Sequence, residues 1–311
     1  FIPLAAYKGA SLHRVQHFDA VWAMMTYMAL PITLMRLFGV RLPYVLTLQD
    51  GDPFEHVFGR PRIKIILPLL RAGFRNASMI QTISHFLAQW PRKMGYEGPI
   101  EVVANGTDTA RFAAGAPADI GKKEGEVVLC TASRLVLKNA LDDVIRALPG
   151  LPEHITFAVF GTGPEEERLR ALAAELGVAE RVKFFGSIDN LDLPGYLRAC
   201  DIFIRPSRSE GMGISFIEAF AAGLPVIATQ EGGIADFLFD AKRNPEKKTT
   251  GWAVDRDNPS QIVAAVKDIL SDPARTRAVI EEARRLAVAK YDWSLMARDM
   301  QEKVFGKVFK N

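Results

Sequence analysis

The sequence predicts an α/β protein of two Rossmann-like domains with parallel sheets, the N-terminal one incomplete. Three observations carry this. The chain has 311 residues, more than one ordinary domain takes and suited to two. Short apolar runs alternate with helix-length segments, the rhythm of strand–helix–strand units. Glycine and proline turns stand where the runs end, as at Gly161-Thr-Gly163-Pro164 and Gly211-Met-Gly213.

In the first part, a helix is expected from Trp22 to Phe38, a strand from Tyr44 to Leu48 and a helix from Pro61 to Arg75. A strand from Met79 to Ile83, a helix from Phe86 to Met94 and a strand from Ile100 to Val103 follow. The apolar stretch from Val21 to Val40 contains Pro31 and Arg36, so it reads as a buried helix and not a membrane span. Residues 114–125, rich in Ala, Gly, Pro and Lys, are expected to link the domains. Only about three strand–helix units precede that linker, and a complete unit takes about 30 residues. Residues 1–113 are therefore expected to be a partial domain, N-terminally truncated by several tens of residues.

The second part keeps a clearer rhythm. Strands are expected at 127–131, 156–160, 182–185, 202–204 and 226–228. Helices are expected at 141–147, 164–176, 193–200, 215–222 and 260–270, with two more at 273–290 and 294–307. Residues 126–290 read as one complete doubly wound domain, and 291–311 as a helix that packs back toward the N-terminal domain.

Composition narrows the function. Hydrophobic residues make up 49% and charged residues 24%, a globular profile. A net charge of +3 is too small to argue for a nucleic-acid partner. Two cysteines exclude a disulfide framework and fit a reducing cytosol, and the five histidines show no metal-ligand spacing. No signal peptide is visible.

Most of the chemistry sits in the stretch from Arg205 to Thr229. A buried strand feeds the turn Gly211-Met212-Gly213, which opens a helix through Ile214 and Ser215 that ends at Gly223 and Pro225. Backbone N–H groups at such a turn suit a phosphate. Glu210 stands at its mouth, and Glu218 lies about two helical turns further on. A phosphate held by backbone, with carboxylates to accept hydroxyl hydrogen bonds, suits a nucleotide-sugar.

The string from Pro206-Ser207 through Glu210, Gly211, Gly213 and Glu218 to Ala219, Ala221, Gly223 and Pro225-Val226 resembles the E-x7-E signature of retaining glycosyltransferases of family 4, which have the GT-B fold. Arg134-Leu-Val-Leu-Lys138-Asn139 is similar to that family's G-R-L-x-x-x-K-G, with Ser133 and Asn139 where the family has glycines. The resemblance implies that Arg134 and Lys138 clamp the diphosphate. Fixed cations there favour departure of a leaving group that gains negative charge. Gly161-Thr-Gly163-Pro164 resembles the family's G-x-G-P, and Phe184-Phe-Gly186-Ser187-Ile188 resembles its F-x-G-x-V, where backbone lies beside the nucleobase. For Gly161 a purely structural turn reads as well as a nucleotide contact. Asn105-Gly-Thr-Asp108 resembles N-G-V-D and reads as a structural turn. Gly232-Gly233 resembles a cleft-facing loop with acceptor or donor contact. Gln49 stands where many family members have a histidine; it can hydrogen-bond a sugar but cannot transfer a proton. Asp50 and Asp52 either bind acceptor hydroxyls or simply make a turn.

The resemblance thus implies a retaining hexosyltransferase that needs no metal ion and no cofactor. It would use a UDP-, GDP- or ADP-sugar as donor and a glycan, lipid or small molecule as acceptor. The N-terminal domain would take the acceptor side and residues 126–290 the donor, with the cleft between them. Glu218 would accept ribose hydroxyls and Glu210 donor-sugar hydroxyls. Two alternatives stand: a GT-B sugar-nucleotide epimerase, and a nucleotide-sugar-binding fragment without turnover. Residues 57–96 hold seven Arg and Lys among isoleucines and leucines, with no acid before Glu97. They read either as a core-facing helix with a solvated basic face or as a peripheral contact with the inner face of a membrane. The expected location is the cytoplasm.

Overall fold

The computed structural model describes residues 1–308. The chain divides into two compact units: Phe1–Asn105 together with the chain from Ser294 onward, and Gly106–Trp293.

The sheet of the first unit has strands β1 (Val21–Met24), β2 (Tyr44–Leu48), β3 (Met79–Thr82) and β4 (Ile100–Val102), all parallel and in chain order. β2 and β3 are buried along their whole length, as strands of a parallel sheet covered on both faces are, and the buried Gln81 amide of β3 donates to the Val103 carbonyl. Val45, Met79 and Val103 pack with Val304, so the end of the chain supplies core to this unit. The Phe305 ring also meets Trp22 edge-on at 5.2 Å.

Several expectations for this unit are corrected. The segment Trp22–Phe38 is not one helix. Its start pairs with β2 as strand β1, with Trp22 beside Val45, and Met25 at φ 81° breaks the chain before Ala29–Met35 turns helical. Tertiary pairing outweighs local propensity here. The helix expected over Phe86–Met94 is two short ones, His85–Ala88 and Trp90–Lys93. Pro91 lacks the amide that a continuous helix would need. A helix at Ile2–Gln16 was not expected at all.

The second unit holds β5 (Val127–Ala132), β6 (Ile155–Phe160), β7 (Val182–Gly186), β8 (Ile202–Arg205), β9 (Val226–Ala228) and β10 (Trp252–Ala253), again parallel, in the order β10-β9-β8-β5-β6-β7. From β5 the chain winds outward through β6 and β7, then returns to start β8 on the other side of β5. Such a reversal splays the turns at the carboxyl ends of β5 and β8 apart, which is where open α/β sheets bind ligands. Leu129, Phe157, Ile204 and Ile227 from the sheet pack with Leu141 and Ile262 from its helices. Residues 114–125, expected to be a linker, lie within this unit, where the Ala118 N–H donates to the Gly195 carbonyl at 2.9 Å. No described helix is long and apolar enough to cross a membrane.

Candidate functional site

Arg205, the last residue of β8, organises the acidic turn. Its guanidinium is buried. It donates to Glu210 Oε2 at 2.8 Å and to Ser215 Oγ at 3.0 Å, and stacks 4.2 Å over the Phe216 ring. Burial lowers its pKa, and the charges of Glu210 and Glu218 both oppose that shift, so the cation serves both acids. The other oxygen of Glu210 accepts the Gly211 N–H at 2.9 Å. Gly213 adopts φ 84°, and a Cβ there would strike Arg205 and Phe216, so the turn requires glycine. Gly232, at φ 62°, lies against the Glu210 carbonyl, to which the Gly233 N–H donates at 3.0 Å. The Gly232-Gly233 loop after β9 therefore backs the Glu210 turn. Met212 and Ser215 are buried, and Ile214 is half-buried at the start of the helix Ile214–Ala222.

Glu218, in that helix, is only 6% exposed. Burial pushes its pKa from the ordinary 4.5 to about 7, against the charges of Arg111 and Arg205 and a hydrogen bond from Asn190. Arg111 comes from the helix Thr109–Ala113, which Asp108 caps by accepting the Arg111 N–H at 2.9 Å. Its Nη2 donates to Asn190 Oδ1 at 2.6 Å. The turn Asn105–Asp108 thus starts the helix that brings a cation to Glu218. Sequence reasoning missed Arg205, Arg111 and Asn190 as site residues; the aspartate cap three residues before Arg111 is the one local signal that could have suggested its placement.

The cation loop follows β5. Arg134 is exposed and Lys138 half-buried. Asn139, where the resemblance led one to look for glycine, donates its side-chain amide to the Arg134 carbonyl at 2.6 Å and closes the loop. The turn after β6 lies directly on this loop: the Leu135 N–H donates to the Thr162 carbonyl at 3.0 Å. Side chains at Gly161 or Gly163 would collide with the backbone of Ser133 and Leu135. These glycines permit close approach to the cation loop. Gly186, at φ 73°, accepts the Gly161 N–H at 2.6 Å; Ser187 beyond it is exposed and Ile188 half-buried. Every one of these turns leaves the carboxyl end of a parallel strand, so the sheet gathers them along one edge of the second unit.

Residues 116–286, more than half of the chain, match the model of the glycosyl transferases group 1 family. The chain belongs to that family. Among curated relatives of this glycosyltransferase, it is 32% identical over 263 residues to the GDP-mannose-dependent alpha-(1-6)-phosphatidylinositol monomannoside mannosyltransferase of Mycolicibacterium smegmatis, a match covering 78% of this chain and 67% of the relative. It is 27% identical to the GDP-mannose-dependent monoacylated alpha-(1-6)-phosphatidylinositol monomannoside mannosyltransferase of Corynebacterium glutamicum, over 94% of this chain and 78% of the relative. The fold is similar to Anabaena Alr3699/HepE, solved with UDP, at a TM-score of 0.83 and 21% identity over 97% of this chain and 82% of that one. The architecture is GT-B.

In the first unit of the glycosyltransferase, Gln49, Asp50 and Asp52 follow the carboxyl end of β2. Asp50 is buried and accepts the hydroxyl of Thr26. Burial raises its pKa, against that hydrogen bond. Gln49 and Asp52 are half-buried. Among the described residues, no three His, Cys, Asp or Glu side chains gather as metal ligands.

Proposed function

We propose that this protein moves a hexosyl group from a nucleoside diphosphate sugar to a lipid-linked sugar acceptor, with retention at the anomeric carbon and without a metal ion. A mannosyl group carried by GDP is the donor favoured by the named relatives. In this reading the diphosphate lies over the start of the helix Ile214–Ala222, at the switch point between β5 and β8. Glu218 accepts the ribose hydroxyls, with Arg111 and Asn190 favouring its ionised form. Glu210, oriented by Arg205 and the Gly211 N–H, accepts hydroxyls of the donor sugar through its remaining lone pairs. Arg134 and Lys138 take up charge as the diphosphate departs. Backbone at Gly186–Ile188 borders the base; Gln49, Asp50 and Asp52 in the first unit and, separately, the Gly232-Gly233 loop in the second are acceptor-side candidates.

The observation that carries this reading is Glu218. A carboxylate buried at the ligand edge of a parallel sheet, amid two arginines and an asparagine, is placed to receive hydroxyl donors. A ligand-observed NMR screen of GDP-, UDP- and ADP-sugars tests it. The parent protein should bind one nucleotide class, and Glu218→Ala should lose most of that signal; equal binding by both removes the ribose role. Addition of EDTA should leave the transfer rate unchanged.

The helix Pro61–Arg75 supports a peripheral membrane contact at the cytoplasmic face. It buries Ile63, Leu70 and Phe74 but exposes Ile65 and Leu69 beside Arg62, Lys64 and Arg71. Such a mixed basic and apolar face suits an anionic lipid surface. Cosedimentation with vesicles containing anionic lipid, lost on Ile65→Glu, is the expected result.

A further inference from the structure

Arg208 lies two residues before Glu210, yet its side chain reaches the segment that follows β5. Nη1 donates to the Leu137 carbonyl at 2.8 Å and to Asp142 Oδ1 at 2.9 Å. Nη2 donates to Asp142 Oδ2 at 3.2 Å and to Asp143 Oδ1 at 3.1 Å. Nε donates to Asp257 Oδ1 at 2.6 Å, and the backbone N–H of Arg208 donates to the Lys138 carbonyl at 2.7 Å. One residue thus holds two successive carbonyls of the cation loop and three carboxylates from two separate segments. The loop has little regular structure of its own: a single 3-10 turn, Leu137–Asn139, followed by Ala140 at the left-handed φ of 54°. Alanine at that angle is strained, and persists only where the surroundings fix it.

We propose that Arg208 is a positioning residue, which locks the Arg134–Lys138 loop to the Glu210 turn so that cations and acid meet a nucleoside diphosphate as one rigid unit. This rests on the reading that Arg134 and Lys138 hold the diphosphate. The spacing between the two loops matters because a displacement of about 1 Å at a charged contact costs roughly two orders of magnitude in rate. A planar fork with five donors spans the Leu137 carbonyl and three carboxylates at once, and lysine cannot replace it. The three carboxylates engage the charge of Arg208 within the cluster, so it acts on the loop and not on a ligand.

The test is calorimetric titration of the full chain with GDP and GMP, and with UDP and UMP. Lys138→Ala should weaken the diphosphate about tenfold, the effect of one charge-assisted contact, and leave the monophosphate within about twofold. Arg208→Lys should reproduce that pattern, and the double variant should add nothing further, because both changes remove the same contact. A merely structural arginine would weaken mono- and diphosphate alike. Asp257→Asn, at an exposed acid, provides a milder second variant with an expected loss of about threefold on the diphosphate alone. Diphosphate affinity unchanged in Arg208→Lys or in Asp257→Asn, beside a loss in Lys138→Ala, overturns the positioning role. No effect of Lys138→Ala removes the clamp reading itself, and the positioning role with it, as does failure of the parent to bind either diphosphate.

Discussion

The strands of the first unit follow chain order, β1-β2-β3-β4, while those of the second reverse direction between β5 and β8. Each unit carries a buried acid beyond a strand of its sheet: Asp50 just past β2 in the first, Glu218 midway along the helix Ile214–Ala222 in the second. Burial raises the pKa of both. Their company differs. Asp50 accepts a neutral threonine hydroxyl, whereas Glu218 sits in the field of Arg111 and Arg205 and accepts from Asn190. An acid held among cations at the carboxyl edge of a parallel sheet has the charged company that the proposed ligand role calls for. The reversal of strand order is what opens that edge, and the end of β8 and the helix Thr109–Ala113 bring the cations to Glu218.

The largest effect expected to sharpen this contrast is on Arg205. Replacing it with Ala leaves Glu210 and Glu218 without their shared buried cation, at a cost of about 3–5 kcal/mol. Thermal unfolding should fall by roughly 10 °C; a shift near zero would show that the acids do not depend on it. Next comes Lys138→Ala, which in the proposed reaction should slow GDP release from GDP-mannose with a lipid-linked acceptor by about a hundredfold while raising donor KM by no more than about tenfold. An unchanged rate would remove the cation loop from the contrast.

A pH series has the third rank. Glu218 titrates near 7 in the folded chain and near 4.5 when unfolded, so the fold holds its proton more tightly. Its contribution to stability is complete below about 4.5 and is lost as pH rises through about 7. Glu218→Gln should therefore melt a few degrees above the parent at pH 8 and with it at pH 4. Nucleotide affinity should run the other way, rising about tenfold from pH 6 to 8 in the parent and staying flat in the variant, because the ionised carboxylate is the better acceptor. The smallest effect belongs to the first unit. Asp50→Asn should change stability by less than about 1 kcal/mol and leave nucleotide affinity unaltered. A drop in affinity there would break the comparison.

The second unit was legible in the sequence to within a residue or two at most boundaries, and Leu141–Ala147 and Val226–Ala228 match the expectation outright. Most strands there are compact apolar runs, and β6, β7 and β8 end at a glycine or proline, so period and punctuation agree at those boundaries. The first unit was harder. Val21–Met24 lies at the head of a long apolar stretch in which strand and helix look alike, and pairing with β2 decided the outcome. The helix Ile2–Gln16 buries only Ala6 and Ala10, leaving no apolar stripe to read. In the site, Glu210 and Glu218 stood out because their spacing is local. Arg111 and Arg208 did not, since their partners arrive from distant segments; Arg208 meets Asp142 across 66 residues. Arg205 has Glu210 and Ser215 five and ten residues on, but an arginine at the end of a buried strand carries no sign of which way it turns. The glycines at 161 and 163 announced a turn, but the loop that presses on them comes from another strand.

One titration reaches the central claim directly: GDP and 2′,3′-dideoxy-GDP against the parent and Glu218→Ala, with the UDP pair in parallel. If Glu218 receives the ribose hydroxyls, removing them weakens binding to the parent by about tenfold and makes no difference to the variant. An equal penalty in both proteins, or none in the parent, would contradict the placement of the nucleotide at the β5/β8 edge.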